Sequence, residues 1–281
     1  MESYKHRVYK AIDYINSNLG EELNLNEIAS AAAFSTYHFH RIFSAIMGDS
    51  IWNYTIRLRL EKAAQYLIST NTISITQIAM ETGFSSSSTF ARAFKNYYGI
   101  PPSKWKNTKS KICKVDLTKI NYIEGRTRVI KIKERFVAYS ASLKGYDDRS
   151  LKMAGEILFS WALKANLLND ESVILGIGFD NPEITKESLC RYYVCLQVPK
   201  DTDSNDLIGF LTIPGGEYVI YPFQGRKKEL VSAYNYLYGK WLPESNFIPG
   251  DSASYELYKS DPNKSSKGIL DLDIYIPLKR F

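Results

Sequence analysis

Residues 25–106 contain one pattern twice, and this repeat limits what the chain can fold into more than any other feature. The first copy reads IASAAAFSTYHFHRIFSAIMG from Ile28, and the second reads IAMETGFSSSSTFARAFKNYYG from Ile78. The Ile-Ala and Phe-Ser pairs match at an offset of 50 positions, and the later Phe, Arg, Phe and Gly match at an offset of 51. The chain therefore encodes two versions of one small unit, with one residue inserted in the turn of the second.

Each copy has the pattern of two short helices separated by a tight turn. In the first, Ser35 is a good N-cap for a helix over Thr36–Met47. In the second, Gly83 supplies the turn, the serines at 85–88 offer N-caps, and the following helix ends near Gly99. Helix, tight turn, helix is the helix-turn-helix motif, so the pattern predicts an all-α domain that contains two of them.

The second helix of each copy has one apolar face and one outward polar face. The apolar faces are Phe39, Ile42, Phe43 and Ile46 in the first copy and Phe90, Ala93, Phe94 and Tyr97 in the second. Arginine pairs bidentately with guanine, Ser and His donate to base edges or phosphates, and Ala suits a thymine methyl group. The outward side chains are of these types, which predicts double-stranded DNA as the partner: Tyr37, His40, Arg41 and Ser44, and then Ser88, Ala91, Arg92 and Lys95.

A long helix is predicted between the two copies. Ile51–Thr70 has a helical apolar pattern without Gly or Pro, and its length would be about 30 Å. One turn of DNA is about 34 Å long, so a linker helix of this size could hold the second helices of the two copies in successive major grooves. The basic residues Arg57, Arg59 and Lys62 fit phosphate contacts and a solvated face equally well.

Composition fits a globular protein of two domains. The chain has 281 residues and a net charge of +6, and residues 1–112 hold 13 Lys and Arg against 8 Asp and Glu. The absence of an apolar run of about 18 residues and of a secretory leader pattern predicts a cytoplasmic protein with no membrane partner. Cys113, Cys190 and Cys195 lack metal-site spacing, and neither a metal nor another cofactor is predicted.

Residues 1–107 resemble the DNA-binding domain of the AraC/XylS family of transcription activators. Gly83–Lys106 carry the resemblance, because GFSSSSTFARAFKNYYGIPPSKWK fits the family signature over its whole length. Pro101 stands where many members have Ser or Thr. The resemblance implies base contacts from Tyr37, His40 and Arg41 in the first reading helix and from Ser87, Ser88, Ala91 and Arg92 in the second. Because its donors are longer, the first helix is expected to discriminate bases more strongly than the second.

From Thr127 onward the apolar pattern changes to the two-residue period of strands. Residues 108–126 are interpreted as a linker, and 127–281 as an α+β domain of two pseudo-symmetric strand-helix-strand-strand repeats. The predicted helices are Leu151–Leu168 and Lys227–Trp241. The predicted strands are 129–133, Phe136–Leu143, Val173–Phe179, Arg191–Val198, Gly216–Phe223, Ser254–Tyr258 and Leu270–Pro277.

This second half resembles the GyrI-like effector-binding domain that also occurs in multidrug-responsive regulators. The resemblance is carried by PGGEYVIYPFQG from Pro214, AYNYLYGKWLPES from Ala233, YELYKSDP from Tyr255 and LDIYIPLK near the end. The basic turn at 224–228 departs from the family pattern. The resemblance implies a cleft between the two repeats that binds amphipathic, often cationic, organic molecules.

Glu256 is the predicted centre of that cleft. Strand alternation places it on the same face as Tyr258 and opposite Tyr255 and Leu257, so it faces the cleft if the latter two pack on the helices. A carboxylate among aromatic rings can neutralise a cation, and each ring can add about 0.5–2 kcal/mol by cation–π contact. The predicted aromatic walls are Tyr192, Tyr221, Trp241 and Tyr258.

The sequence therefore predicts a ligand-responsive, non-enzymatic transcription regulator that recruits or blocks RNA polymerase. Two other functions fit the second half. One is a small-molecule hydrolase that uses Glu256 and a neighbouring tyrosine as acid and base. The other is a protein-interaction module that uses the tyrosine-rich surface.

Overall fold

The computed structural model describes residues 4–69, 73–105, 126–142, 145–182, 184–203, 208–250, 252–260 and 268–280. They belong to two compact units, one helical and one built on a sheet, as the sequence predicts. The predicted linker 108–126 lies outside the described residues apart from Arg126, as do Cys113 and the predicted element ends Thr70 and Leu143.

The helical unit contains the two predicted helix-turn-helix motifs. The first is formed by α2 and α3 and the second by α5 and α6, while α1 precedes them and α4 lies between them. The sequence patterns did not identify α1. The bounds are α1 Tyr4–Ser17, α2 Leu25–Ala31, α3 Thr36–Met47, α4 Ile51–Ser69, α5 Ile75–Glu81 and α6 Ser87–Tyr98.

The turns of the two motifs have the same backbone geometry. The N–H of Phe34 donates to the carbonyl of Ala29 at 2.9 Å, and Phe84 repeats this bond to Ala79 at 2.9 Å. The residue before each phenylalanine is left-handed, with φ of 53° at Ala33 and 82° at Gly83. This is the Schellman arrangement that ends a helix, and it costs an alanine about 1–2 kcal/mol that glycine avoids.

Phenylalanine pairs form the core behind each reading helix. The rings of Phe39 and Phe43 lie 5.7 Å apart on α3, and those of Phe90 and Phe94 lie 5.4 Å apart on α6. The expectation that Tyr97 completes the second apolar face is wrong, because this residue is 40% exposed. Tyr98 takes that place against Phe94, at 4.6 Å between ring centroids.

Two basic residues of α4 are buried, which contradicts both predicted alternatives for them. Arg57 pairs with Glu61 one turn further along the helix, at 3.2 Å. Arg59 donates to backbone carbonyls of other parts of the helical unit. Neither side chain forms a solvated face or is free to reach a phosphate.

The sheet unit contains one antiparallel sheet with two helices on one of its faces. The strand order is β1-β6-β9-β8-β3-β4-β2-β5, with β7 paired to β9 outside this path. The predictions missed β5 and β7. The bounds are β1 Arg128–Ile132, β2 Arg135–Ser142, α7 Asp148–Lys164, β3 Ile174–Gly178, β4 Tyr192–Gln197, β5 Gly209–Ile213, β6 Gly216–Arg226, α8 Lys227–Tyr236, β7 Phe247–Pro249, β8 Tyr255–Tyr258 and β9 Ile269–Arg280.

The sheet is strongly curved because short turns connect its opposite ends. β1 leads directly into β2, although these strands lie near opposite ends of the strand order, and β5 leads into β6 in the same way. The two turns touch, since a Cβ atom at Gly215 would lie 3.0 Å from the carbonyl oxygen of Ile132. Stacked tyrosines fill the concave face, with Tyr139 4.2 Å from Tyr193.

The helices cover the other face, and each helix has its own apolar cluster. Ala154, Leu158 and Ala162 of α7 pack over the β2–β4 part of the sheet. Ala233 and Tyr236 of α8 pack over the β6–β9 part. The strip of sheet between the two clusters is formed by β3 and β8. None of the described helices is long and apolar enough to cross a membrane.

Candidate ligand site and candidate nucleic-acid interface

A buried carboxylate lies on the strip of sheet between the two helices. Glu256 on β8 is 4% exposed and accepts hydrogen bonds from three phenols. Tyr192 reaches Oε2 at 2.5 Å, Tyr258 reaches the same oxygen at 3.2 Å, and Tyr234 reaches Oε1 at 3.1 Å. The hydroxyls of Tyr192 and Tyr258 are also 3.0 Å apart. We call these four residues the Glu256 cluster.

Tyr192 joins this cluster by lying flat across a neighbouring strand. It belongs to β4, and β3 separates β4 from β8. Gly176 on β3 pairs with Glu256 in the strand register, and a Cβ atom there would lie only 1.6 Å from the Tyr192 hydroxyl. Glycine at 176 is therefore the condition for this tyrosine to reach the carboxylate. The sequence analysis identified the strand but missed this glycine.

One tyrosine reaches the carboxylate from the second helix, and a second tyrosine stacks on it. Tyr234 lies on α8, and Tyr238 lies in the π-helical turn that follows it, Leu237–Trp241. Their rings are stacked, with 6.4 Å between centroids and 15° between planes. Burial raises the pKa of Tyr238 to about 12, so its hydroxyl stays protonated near neutral pH. The four-residue spacing within AYNYLYGKW is a signal that could have identified both tyrosines.

The cluster places a carboxylate in a site that disfavours its charge. Burial raises the pKa of Glu256, while hydrogen bonds from Tyr192, Tyr234 and Tyr258 and the charge of Lys227 act in the opposite direction. Burial and the nearby carboxylate raise the pKa values of Tyr192 and Tyr234 well above 10. These phenols are therefore neutral donors, and a cationic ligand would add the positive charge that they lack.

The structure brings together three of the five residues predicted for the ligand site. Glu256, Tyr192 and Tyr258 are in contact, as described above. Tyr221 instead packs in the apolar cluster beneath α8, 5.7 Å from the ring of Tyr236. Trp241 stacks on Phe247 at 6.5 Å.

The helices cover the face of β8 opposite to the expected one. Tyr255 and Leu257 pack on the concave tyrosine face and not on the helices. Glu256 therefore lies on the helix-covered face, in the strip between α7 and α8. The prediction that Glu256 points to the face opposite Tyr255 and Leu257 is correct. The prediction that the helices pack on Tyr255 and Leu257 is wrong.

The outward faces of α3 and α6 carry the side chains predicted to contact DNA. On α3, Tyr37, His40 and Arg41 are exposed, and the Arg41 guanidinium lies 5.4 Å from the Tyr37 ring. On α6, Ser88, Arg92 and Lys95 are exposed, and Ala91 is half-buried. Ser87 is half-buried at the first position of α6, and Ser86 before it is the N-cap, accepting from the Thr89 N–H at 3.2 Å.

Across the described ranges, no group of three or more His, Cys, Asp or Glu is placed to hold a metal ion. Cys190 and Cys195 are both buried, and their thiols lie within hydrogen-bonding distance of backbone carbonyls.

Comparisons with known proteins agree with both halves of this description. The sequence profile of a helix-turn-helix domain matches residues 28–108, and that of the GyrI-like small molecule binding domain matches residues 128–279. The chain is 32% identical to the multiple antibiotic resistance protein MarA of Escherichia coli over 101 residues, which are 36% of this chain and 79% of MarA. It is 37% identical to the transcriptional regulator YbfP of Bacillus subtilis over 103 residues, 37% of this chain but only 35% of YbfP.

Solved structures give partial matches. An AraC-type regulator from Chromobacterium violaceum has 28% identity and a TM-score of 0.35, over 37% of this chain and 93% of that one. The EcmrR C-terminal domain has 19% identity and a TM-score of 0.48, over 57% of this chain and all of that one.

The helical unit has two helix-turn-helix motifs with exposed reading helices, and the sheet unit matches a small-molecule-binding profile. Together these features define a class of two-part regulators. The chain belongs to the AraC-type helix-turn-helix family and carries a GyrI-like small molecule binding domain.

Replacing Gly176 with alanine should displace Tyr192 from Glu256. The new methyl group would occupy the position of the tyrosine hydroxyl, and loss of a hydrogen bond to a buried charged group costs about 1.5–3 kcal/mol. The control is Gly178→Ala on the same strand, where the nearest atom, the Tyr146 hydroxyl, would lie 3.3 Å from the new Cβ. Urea denaturation should show a clearly larger loss of stability for Gly176→Ala, and equal losses would contradict the packing described here.

Replacing Glu256 with glutamine should change how stability depends on pH. Because the folded pKa is raised, the carboxyl stabilises the fold when it is protonated, and this contribution is lost as pH rises through the folded pKa. Going from pH 4 to pH 8, the wild type should lose stability relative to Glu256→Gln. Melting temperatures measured across this range test the sign, and parallel profiles would show that the carboxyl is not destabilised by burial.

Proposed function

We propose that this protein is a sequence-specific DNA-binding transcription regulator whose sheet unit binds a small amphipathic, cationic organic effector. The observation that carries the proposal is the Glu256 cluster, a buried carboxylate whose hydrogen-bond partners are neutral phenols, in a chain that also has two exposed reading helices. We assign DNA binding to residues 1–107 and effector binding to residues 127–281.

The proposed DNA contacts follow the exposed faces of the reading helices. Tyr37, His40 and Arg41 would contact bases from α3, and the first helix would provide most of the discrimination. From α6 the contacts would come from Ser87, Ser88, Ala91 and Arg92, with Lys95 on phosphates. The helix α4, with 19 residues and a length of about 28 Å, supports two readers in successive major grooves of one DNA face.

The sheet unit supports an interpretation as two halves of the same construction. One half is β2-α7-β3-β4 and the other is β6-α8-β8-β9, and the strand order reads outward from the β3–β8 pair in the same way on both sides. The Glu256 cluster lies at this junction, where Tyr192 comes from one half and Glu256, Tyr234 and Tyr258 come from the other. We propose that the effector binds there, between the two helices.

The chemistry of the cluster favours an organic cation with aromatic or aliphatic bulk. The cation would compensate the carboxylate, and the surrounding tyrosine rings would add cation–π attraction and apolar contact. Tyr221 and Trp241 would then contact the ligand only after a rearrangement of the apolar cluster below α8.

We propose binding without turnover, in a cytoplasmic protein that acts on RNA polymerase at promoters. The GyrI-like profile describes a small molecule binding domain, and the relative YbfP is named as a transcriptional regulator. The close pair Glu256–Tyr192 also suits acid–base chemistry, so a hydrolase is the competing function. Chromatography of effectors after prolonged incubation distinguishes the two, because a hydrolase would convert the compound and a sensor would return it unchanged.

Replacing one basic residue on each reading helix should have different consequences. We expect Arg41→Ala to weaken binding to the preferred duplex by about 1–3 kcal/mol and to relax base choice, because a base contact is lost. We expect Lys95→Ala to weaken binding to all duplexes alike and to lower the salt dependence, because a phosphate contact is lost. Gel-shift titrations at several salt concentrations measure both effects. If Arg41→Ala weakened specific and random duplexes equally, the assignment of Arg41 would be wrong.

Organic cations should stabilise the protein through Glu256. We expect a thermal shift with amphipathic quaternary or protonated amines and little with neutral compounds of the same shape, because only the cations compensate the carboxylate. Glu256→Gln should weaken the affinity about tenfold or more, which is about 1.4 kcal/mol. The control is the exposed residue Glu171, whose change to glutamine should leave the shift intact. Equal shifts in the wild type and Glu256→Gln would place the ligand elsewhere.

A further inference from the structure

Arg59 holds the two halves of the helical unit together. It lies on α4, is 7% exposed, and donates to three backbone carbonyls. Nε reaches Leu19 at 3.0 Å and Nη2 reaches Glu21 at 2.6 Å, both in the connection between α1 and α2. Nη1 reaches Gly83 at 2.7 Å, in the turn between α5 and α6. One guanidinium therefore bridges the first helix-turn-helix copy to the turn of the second.

The backbones of these two connections are in direct contact at two glycines. A Cβ atom at Gly20 would lie 2.7 Å from the carbonyl oxygen of Glu81. A Cβ atom at Gly83 would lie 2.7 Å from the carbonyl oxygen of Leu19 and 2.7 Å from the Arg59 guanidinium carbon. Neither position has room for a side chain, so the close approach depends on glycine on both sides.

Arg7 occupies the corresponding place in the first copy. It precedes Arg59 by 52 positions, donates to the carbonyls of Ala32 and Ala33, and lies 3.5 Å from the centre of the Phe34 ring. These contacts lie within the first copy. The same offset aligns further residues of α1 and α4, so each copy is a unit of three helices: Lys10 with Lys62, Ala11 with Ala63, and Tyr14 with Tyr66.

A covalent connection alone does not fix the orientation of two such units. The link from α3 to α4 joins them at one point, and a second contact away from it is needed to prevent rotation. We propose that Arg59 is a positioning residue that clamps the turn between α5 and α6 to the first copy. It would thereby set the spacing between two DNA boxes, which are the short base sequences contacted by α3 and by α6. The inference rests on the DNA-binding function proposed above.

Spacing is a sensitive property because DNA is helical. One base pair moves a box by about 3.4 Å and rotates it by about 35° around the axis. Two readers in a fixed relation accept one spacing, whereas readers that can shift relative to each other accept several. Arg59→Lys keeps the positive charge but loses the planar set of donors that spans three carbonyls, so it loosens the clamp without removing a charge.

The experiment uses the full chain and a duplex pool with a randomised central region. The wild type enriches its preferred two-box duplex, and gel shifts at fixed salt then compare duplexes whose boxes are one base pair closer, one further apart and two further apart. For the wild type we expect a loss of about tenfold or more at each altered spacing. For Arg59→Lys we expect the affinity to fall by about threefold or less at each altered spacing. At the preferred spacing, its affinity should differ from that of the wild type by a smaller factor.

Two further variants separate spacing from stability. Gly20→Ala forces the same contact apart without changing Arg59, and it should also flatten the spacing preference. Arg57→Lys is the matched control, because Arg57 is similarly buried on α4 and its ion pair with Glu61 lies within that helix. It should keep the wild-type spacing preference, even if melting temperature falls.

The results separate the two proposals. If Arg59→Lys lowers affinity equally at every spacing, or if the wild type binds all spacings alike, the role of Arg59 in spacing is wrong while DNA binding stands. If the wild type enriches no duplex over the starting pool, the proposed DNA-binding function itself is wrong. Arg7→Lys adds an independent check, because it should weaken discrimination in the box read by α3 and leave the spacing preference unchanged.

Discussion

The sheet unit is organised around the cost of burying the carboxylate of Glu256. A buried carboxylate without hydrogen bonds would cost several kcal/mol, so both of its oxygens must find donors that are themselves buried. The donors come from β4, β8 and α8, and the one from β4 reaches Glu256 because Gly176 leaves β3 bare beneath Tyr192. A stable fold does not require a carboxylate at this place, which is why the cluster suggests a ligand.

The helical unit uses charged side chains differently. Arg7 and Arg59 donate to backbone carbonyls that the ends and turns of helices leave without partners. A guanidinium suits this role because its donors lie in one plane and can reach carbonyls from different segments. Whereas Glu256 concentrates donors from several elements on one acceptor, each arginine distributes its donors among several acceptors. Both arrangements join segments that are far apart in the chain.

The local features of the fold were predictable from the sequence, and the long-range ones were not. The end of α3 follows from Gly48, and the turn at Gly83 follows from its glycine, because left-handed residues act within a few positions. Ser35 is the N-cap residue of α3, as predicted, although its side chain makes no cap hydrogen bond. The burial of Arg59 depends on carbonyls that are distant along the chain, and a basic residue on a helix has no local sign of it. Glu256 was identifiable because a mid-strand glutamate is unusual. Tyr234 was missed and Tyr221 was assigned to the site, because many tyrosines share the same strand and helix patterns and only packing distinguishes them.

The position of β9 determines the order in which the two units can become complete. In chain order it is the last strand of the described residues, yet it lies between β6 and β8 in the sheet. Until residues 269–280 have left the ribosome, the strands β1 and β6 are separated from the remainder, and the second helix has no complete surface to pack on. The helical unit depends on contacts between segments near in sequence and can fold earlier. A nascent chain can therefore complete its two helix-turn-helix motifs before the sheet that carries the Glu256 cluster is complete.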